Sequence, residues 1–340
     1  MSTEYKVALT FESADRIDIA CRADEDVITA GLRQGHLLLS DCRAGSCSTC
    51  RGFLVDGDYD ELLPHSPHAL TDAEEEEGYI LACRLRPTSD LEIDFDYPAD
   101  RVGRYEDGTR TGQIVEAERL SDTVVRIIVR TNATQDPFAW DPGQYLQVTL
   151  PAVGATRAYS MANAPDGTRQ LEFLIRLLPE GRFSGHLAAG LGKGEPVRLR
   201  GPHGQFTFRG KHNPVFVAGG TGLAPIIAML RSLVGTAPTT AARLVFGVAT
   251  ESDLFYVDEL ASLSQALPHL DVVTTVERPT AGWSGAVGTA TDELGEIDPT
   301  RSYYLCGPPG MISAAEELLL GHGVPRDRIH VERFLETGDQ

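Results

Sequence analysis

The 340-residue chain has no uninterrupted apolar stretch of about 18 residues, so no membrane-spanning helix is expected. Its opening residues alternate polar and apolar side chains without a basic segment leading into an apolar one, and no signal peptide is read there. A cytoplasmic location is the resulting expectation. Positive charge is scarce: 30 Lys and Arg stand against 49 Asp and Glu, a net charge of −19. That deficit argues against a nucleic acid or an anionic membrane as the main partner. Cysteine is sparse too, with six residues that suit neither the paired short knuckles of a zinc site nor a small disulfide-stapled scaffold. What is present, 42% hydrophobic and 23% charged residues over this length, is enough for two or three ordinary globular cores. The acid excess is uneven: residues 1–100 hold 22 acidic and 8 basic residues, and residues 101–340 hold 27 and 22.

Four cysteines form a pattern. Cys42, Cys47 and Cys50 read C-x4-C-x2-C, and Cys83 stands 33 positions after Cys50. This is plant-type [2Fe–2S] spacing, in which four thiolates converge on two irons and three of them come from one tightly folded loop. Gly45 and the small residues Ala44, Ser46, Ser48 and Thr49 let the backbone fold back and turn its N–H groups toward the sulfurs. The stretch from 42 to 50 closely resembles the cluster loop of plant-type ferredoxins, and the resemblance implies a β-grasp sheet with a helix across it. Alternation at Val7, Leu9 and Phe11 and at Ile17, Ile19 and Cys21 predicts two strands, residues 26–34 predict a helix, and Leu91, Ile93 and Phe95 are expected to close the sheet. Cys21 falls on an inward strand face and reads as a core residue. Thr71 followed by Glu74 is a capping box that places the acidic run 74–77 in the first turn of a short helix, either a solvated face or a docking surface for an electron acceptor.

Residues 97–109 are polar and aperiodic, with Pro98, Gly103 and Gly108, and read as a linker. Short alternating runs at 113–117, 124–129, 145–150, 171–177 and 196–199 then predict a β-barrel or sandwich. Within it, Arg157-Ala158-Tyr159-Ser160 resembles the R-x-Y-S element of the ferredoxin–NADP reductase superfamily, and Pro142-Gly143-Gln144-Tyr145 resembles its P-G-Q-[YF]. An arginine neutralises a flavin diphosphate, a tyrosine packs on the isoalloxazine, and a serine hydroxyl bonds the flavin ring. Gly181-Arg182-Phe183-Ser184 resembles the second element of that superfamily, a helix start whose backbone N–H groups receive the pyrophosphate. Together they imply FAD.

From residue 213 strands and helices alternate, which predicts a parallel sheet covered on both faces. Gly219-Gly220-Thr221-Gly222 opens an amphipathic helix, and Cys306-Gly307-Pro308-Pro309 follows some 80 residues later. The pairing resembles the nicotinamide domain of the same superfamily, which implies that Cys306 lies near the reacting carbon of the nicotinamide. Phe334, by the same resemblance, either covers the flavin ring until NADH displaces it or simply packs the last strand. At the end of the third strand Glu277 can accept a bond from a free ribose 2′-OH and repel a phosphate, so NADH is favoured, while the neighbouring Arg278 keeps NADPH open.

The expected fold class is therefore multidomain α+β and α/β: a β-grasp ferredoxin domain (1–98), a linker (99–109), a Greek-key FAD-binding β-barrel (110–211) and a parallel-sheet nicotinamide-binding domain (212–340). In order these imply an NADH-dependent oxidoreductase with [2Fe–2S], FAD and NADH as cofactors. Stretches at 24–30, 74–78, 88–93, 171–184 and 306–312 resemble reductase components of soluble di-iron monooxygenases of the methane, propane and alkene type. The resemblance implies a hydroxylase as protein partner, docking on the acidic ferredoxin domain. Reductases of Rieske-type ring-hydroxylating dioxygenases share the architecture and remain the alternative. Glu277→Ser is expected to raise the NADPH/NADH ratio of kcat/KM in steady-state dye reduction; an unchanged or lower ratio would remove Glu277 from cofactor choice.

Overall fold

Alternating apolar positions in the first hundred residues become strands of a mixed sheet. The computed structural model describes residues 3–334 apart from 41–42, 44, 46–47, 68, 105–108, 135–138, 179–180, 191 and 209–212. The chain forms two compact units, Met1–Asp107 and Gly108–Gln340. No helix among the described residues is long and apolar enough to cross a membrane.

In the first unit, β1 (Glu4–Phe11), β2 (Arg16–Arg22), β4 (Arg51–Asp56), β5 (Tyr79–Leu81) and β6 (Leu91–Phe95) form a sheet of order β2-β1-β6-β4-β5, in which β6 runs parallel to β1. The residues expected to close the sheet thus lie inside it. Each edge of β6 is taken, one by β1 and one by β4, and Leu91, Ile93 and Phe95 alternate inward from the solvent-side Glu92 and Asp94. Helix α1 (Val27–Arg33) starts where Asp26 accepts a hydrogen bond from the Thr29 N–H at 2.9 Å. Its Val27, Ile28, Ala30 and Leu32 join Val7, Leu9, Ile19, Cys21 and Ile93 in one core. Full burial of each such aliphatic side chain stabilises by roughly 1.5–3 kcal/mol.

Helix α2 (Asp72–Glu76) starts with the predicted capping box: the Glu74 N–H donates to the Thr71 hydroxyl and the Glu74 carboxylate accepts from the Thr71 N–H at 2.9 Å. The first part of the expected linker is fastened to this unit. A 3-10 turn over Ala99–Arg101 leads into β7 (Gly103–Arg104), which pairs antiparallel with β3 (His36–Leu37).

The second unit holds two sheets. Strands β8 (Arg110–Arg119), β9 (Val124–Thr131), β10 (Tyr145–Leu150), β11 (Ala155–Ser160), β12 (Gln170–Arg176) and β13 (Pro196–His203) form an antiparallel sheet of order β11-β10-β13-β8-β9-β12. Met161, just past β11, bridges Phe173 on β12 and draws the two ends of the sheet together as in a barrel. Helix α3 (Arg182–Ala188) lies between β12 and β13 in sequence. The other sheet, β14 (Val215–Gly219), β15 (Ala242–Val248), β16 (Leu270–Val276), β17 (Ala286–Val287), β18 (Tyr303–Gly307) and β19 (Ile329–Arg333), is parallel throughout, in the order β17-β16-β15-β14-β18-β19. Helices α4 (Leu223–Thr236), α5 (Val257–Ala266) and α6 (Pro309–Gly321) connect its strands. Phe216, Ala218 and Phe246 enter one core, and Val215, Val217 and Val245 enter another. A strand apolar on both faces is what a sheet between helix layers requires.

Thr71→Ala removes the capping hydroxyl of α2. It is expected to destabilise the first unit by about 1 kcal/mol, read as a lowered urea midpoint of the full chain.

Candidate functional site

The cysteine loop is shaped by backbone in the left-handed region. Arg43, Gly45 and Ser48 have φ of 51°, 72° and 59°. A Cβ on Gly45 would lie 2.6 Å from the Cβ of His65 and 2.9 Å from Cγ of Arg84, so both conformation and space require glycine there. The loop is pinned at the Gly45 carbonyl, which accepts from the Ser66 N–H at 2.8 Å, and at the Ser48 hydroxyl, which donates to the Ala69 carbonyl at 2.8 Å. Cys50 and Cys83 are buried, and the Ala82 N–H donates to the Cys50 carbonyl at 3.0 Å, which sets the two cysteines on adjoining stretches of backbone. Cys42 and Cys47 lie outside the described residues, among which no three metal-ligating groups converge. A buried pair of soft sulfur donors beside a loop of this curvature suits iron–sulfur ligation.

In the barrel, Gln144 clasps its own turn. Its Oε1 accepts from the Asp141 N–H at 2.9 Å and its Nε2 donates to the Gly204 carbonyl at 3.2 Å. This holds the start of β10, against which β11 pairs. Along β11, Arg157 and Tyr159 share one face and Ser160 turns to the other, where it is buried. Burial pushes the Tyr159 phenol up, and its ring packs 5.2 Å from that of Phe183. Phe183 and Ser184 are themselves buried, and the Ser184 hydroxyl accepts from the Leu178 N–H at 3.1 Å. The Phe183 ring thus packs on the barrel and the Ser184 hydroxyl ties α3 to the turn before it, which leaves the backbone N–H groups at the helix start, as expected from the motif. Arg182 is exposed and donates to the Val153 carbonyl. The N-cap of α3 is Gly181, which offers no side-chain acceptor of its own.

The two glycine motifs of the parallel sheet meet face to face. A Cβ on Gly222 would lie 2.2 Å from the Cys306 carbonyl oxygen, and one on Gly219 would lie 2.7 Å from Pro308. Only glycine permits that approach. Gly220, at φ 53°, faces space that no protein atom within 4 Å fills, so the turn is a cradle open on one side at the start of α4. Thr221 is nearly buried beneath it. The parallel register aligns the carboxyl ends of β14, β15 and β16, so the exposed Glu277 and Arg278 stand at the rim where a dinucleotide ribose lies in such sheets. This geometry fits a dinucleotide.

Between the two sheets the motif residues Ser160 and Cys306 meet at Glu332. The Ser160 hydroxyl donates to Oε2 of Glu332 at 3.0 Å, and Sγ of Cys306 stands 3.7 Å from the same oxygen; all three residues are buried. Burial, with the Glu332 carboxylate beside it, raises the Cys306 thiol well above its ordinary value. Phe334 is tied to the same place, because its N–H donates to the Gly307 carbonyl at 2.9 Å. The sequence signal for Glu332 is its place in the 331–334 stretch at the end of β19, which by resemblance lies beside the flavin; its partners are set by the fold. The structure thus brings Ser160 together with Cys306, Gly307 and Phe334, which stand 146 or more residues further along the chain.

Comparisons agree with this geometry. Three family profiles match in order: a 2Fe-2S iron-sulfur cluster binding domain over residues 11–88, an oxidoreductase FAD-binding domain over 111–208 and an oxidoreductase NAD-binding domain over 216–317. The chain is 34% identical to the reductase component of propane 2-monooxygenase from Rhodococcus jostii, with 97% of this chain and 91% of that one covered. It is 41% identical to component C of methane monooxygenase from Methylosinus trichosporium over 80% and 81% of the two chains. It is 32% identical to the electron transfer component of toluate 1,2-dioxygenase from Pseudomonas putida over 97% and 98%. Among solved structures, an Amycolatopsis cytochrome P450 reductase superposes with a TM-score of 0.80 at 27% identity, covering 96% of this chain and 98% of that one.

Burial also pushes the Cys21 thiol up, to about 12. A thiol whose folded pKa is raised stays protonated below its unfolded value and ionises only as pH climbs through the folded one. In the native protein at pH 8, Cys21 and Cys306 are therefore expected to resist iodoacetamide and to label on unfolding; mass spectrometry of the two peptides checks this, and fast native labelling of either contradicts it.

Proposed function

The chain belongs to the family of iron–sulfur flavoprotein reductase components of multicomponent oxygenases, and on that premise we propose that it carries electrons from NADH through FAD and a [2Fe–2S] cluster to the di-iron hydroxylase of a monooxygenase. The observation that carries the reading is the meeting of Ser160 from the barrel with Cys306 and Glu332 from the parallel sheet, directly beside the glycine cradle. When bound, the three groups supply the redox chemistry: two electrons from NADH, their separation at the flavin, and one-electron release at the cluster. Everything else is positioning by this chain.

Cys42, Cys47, Cys50 and Cys83 are assigned as the cluster ligands. Arg157 and Arg182 are assigned to the flavin diphosphate, with the first N–H groups of α3, and Tyr159 to the flavin itself. Ser160 is assigned to the polar edge of the flavin ring, held by Glu332. Gly219, Gly220, Thr221, Gly222, Gly307 and Pro308 are assigned to the dinucleotide, with Cys306 at its reacting end as a neutral thiol and Phe334 as the aromatic beside it. Glu277 selects NADH. A chain that draws on the NADH pool is placed in the cytoplasm.

The acceptor is assigned from the propane and methane monooxygenase relatives. The toluate 1,2-dioxygenase relative, similar over nearly the whole chain, supports a Rieske-type oxygenase as the second reading. Docking is assigned to the acidic first unit, where added salt weakens attraction to a basic partner. In that case salt slows only the final transfer.

The test is NADH-driven reduction of cytochrome c and of a flavin-level dye by Cys50→Ser and Cys83→Ser variants. Cytochrome c reduction is expected to fall at least tenfold while dye reduction is retained. Undiminished cytochrome c reduction would refute the cluster as exit.

A further inference from the structure

Helix α4 starts at the dinucleotide cradle and carries Arg231 nine residues past Gly222, about 13 Å along its axis. Arg231 reaches out of the parallel-sheet half of the second unit and into the barrel half. Its Nη1 donates to the Ala162 carbonyl at 2.9 Å and to Oε1 of Glu172 at 3.0 Å, and its Nε donates to Oε1 of Glu259 on α5 at 2.9 Å. Glu172, on β12, takes a second arm from the same half: the Tyr256 hydroxyl donates to its Oε1 at 2.5 Å. Tyr256 precedes α5 with a left-handed φ of 58°, an unfavourable backbone for a bulky residue, held while its ring lies under the Arg231 guanidinium at 5.6 Å. Burial alone would lower the Arg231 pKa, yet Glu172 and Glu259 raise it, so the guanidinium keeps its charge.

The barrel end of this network is not an arbitrary surface. Ala162 follows Ser160 by two residues, the Ala162 N–H donates to the Glu172 carbonyl at 2.8 Å, and the Glu172 N–H donates to Oδ1 of Asn163 at 2.9 Å. Glu172 and Arg231 therefore grip the segment that leaves β11 immediately after Ser160. A second crossing, from the Thr123 hydroxyl to Oδ1 of Asp253 at 2.7 Å, joins the residue before β9 to the turn before Tyr256. An arginine fork fixes direction as well as distance, which a lysine in its place does not.

We propose that Arg231, seated on Glu172 and the Ala162 carbonyl, is a positioning residue that sets Ser160 in register with the cradle and Cys306, and so sets the approach of NADH to the flavin. It touches neither reactant; it acts through the 160–163 segment and α4. The inference rests on the assignment of Ser160 and Cys306 made above. Misplacement of reacting groups by about 1 Å costs up to a hundredfold in rate, whereas loss of a merely stabilising contact leaves the rate in the folded protein unchanged.

The experiment compares the full-length chain with Arg231→Lys, Arg231→Met and Glu172→Gln. In rapid mixing with NADH, the limiting rate of flavin bleaching is expected to fall at least tenfold in Arg231→Met and less in Arg231→Lys, with KM for NADH within twofold and FAD content unchanged. In the cofactor-free protein, amide hydrogen exchange at 160–163 is expected to quicken in Arg231→Met. A bleaching rate within twofold of the parent, with exchange at 160–163 unchanged, overturns the proposal. If Arg231→Met loses FAD or fails to fold, Glu172→Gln decides: a slowed rate with FAD retained supports the proposal, and a parental rate overturns it. Absence of NADH-dependent bleaching in the parent chain would refute the functional reading itself, while the exchange comparison still decides the positional one.

Discussion

A carboxylate held away from water is tolerated only where donors surround it, and Glu332 meets that condition by reaching across from one sheet to the other. Its partner Ser160 sits at the end of β11, and its neighbour Cys306 at the end of β18. Removing one partner from such a group costs roughly 1–3 kcal/mol, more where the group is charged, so the two halves of the second unit are held in a definite relation. The same contact fixes the state of Cys306. A sulfur beside a buried acid has little tendency to ionise, which keeps it a neutral thiol rather than a nucleophile.

Close packing of glycine extends that constraint to the dinucleotide cradle. Because Gly219 and Gly222 touch Pro308 and the Cys306 carbonyl, the turn after β14 and the turn after β18 form one block. Anything seated in the cradle is placed by the same backbone that carries Cys306. Phe334 belongs to the block through its bond to Gly307. Arg231 then ties the second half of α4 back to the barrel, so the helix that leaves the cradle is fastened again along its length.

The first unit answers a different physical demand. Its sheet and α1 share one apolar core, while most of the net negative charge of the chain is spread over its surface. The acidic first turn of α2 follows from local chemistry, since carboxylates near a helix N-terminus are favoured by the helix dipole and by the capping box. Charge of one sign on a surface raises the encounter rate with an oppositely charged partner without a large interface.

Much of this was legible along the chain because it depends on short-range spacing. The C-x4-C-x2-C run, the R-x-Y-S and G-G-T-G motifs, the alternating strands and the capping box at Thr71 each lie within a few residues, and neighbours in sequence are neighbours in space over that span. The interior place of β6 was not legible, because hydrogen bonding to β1 and β4 depends on topology and not on the alternation of Leu91, Ile93 and Phe95. Nor was the inward turn of Phe183 and Ser184, which the family motif presents only as letters. The pairing of Glu332 with Ser160 and the role of Arg231 were hidden for the same reason: an acid in a strand and an arginine on a helix acquire meaning only from partners 172 and 59 to 69 residues away. The sequence by itself determined which cofactor chemistry this chain is equipped for, since that is written in local motifs. Tertiary structure alone decided how those motifs face one another, because long-range contacts are set by the packing of whole sheets.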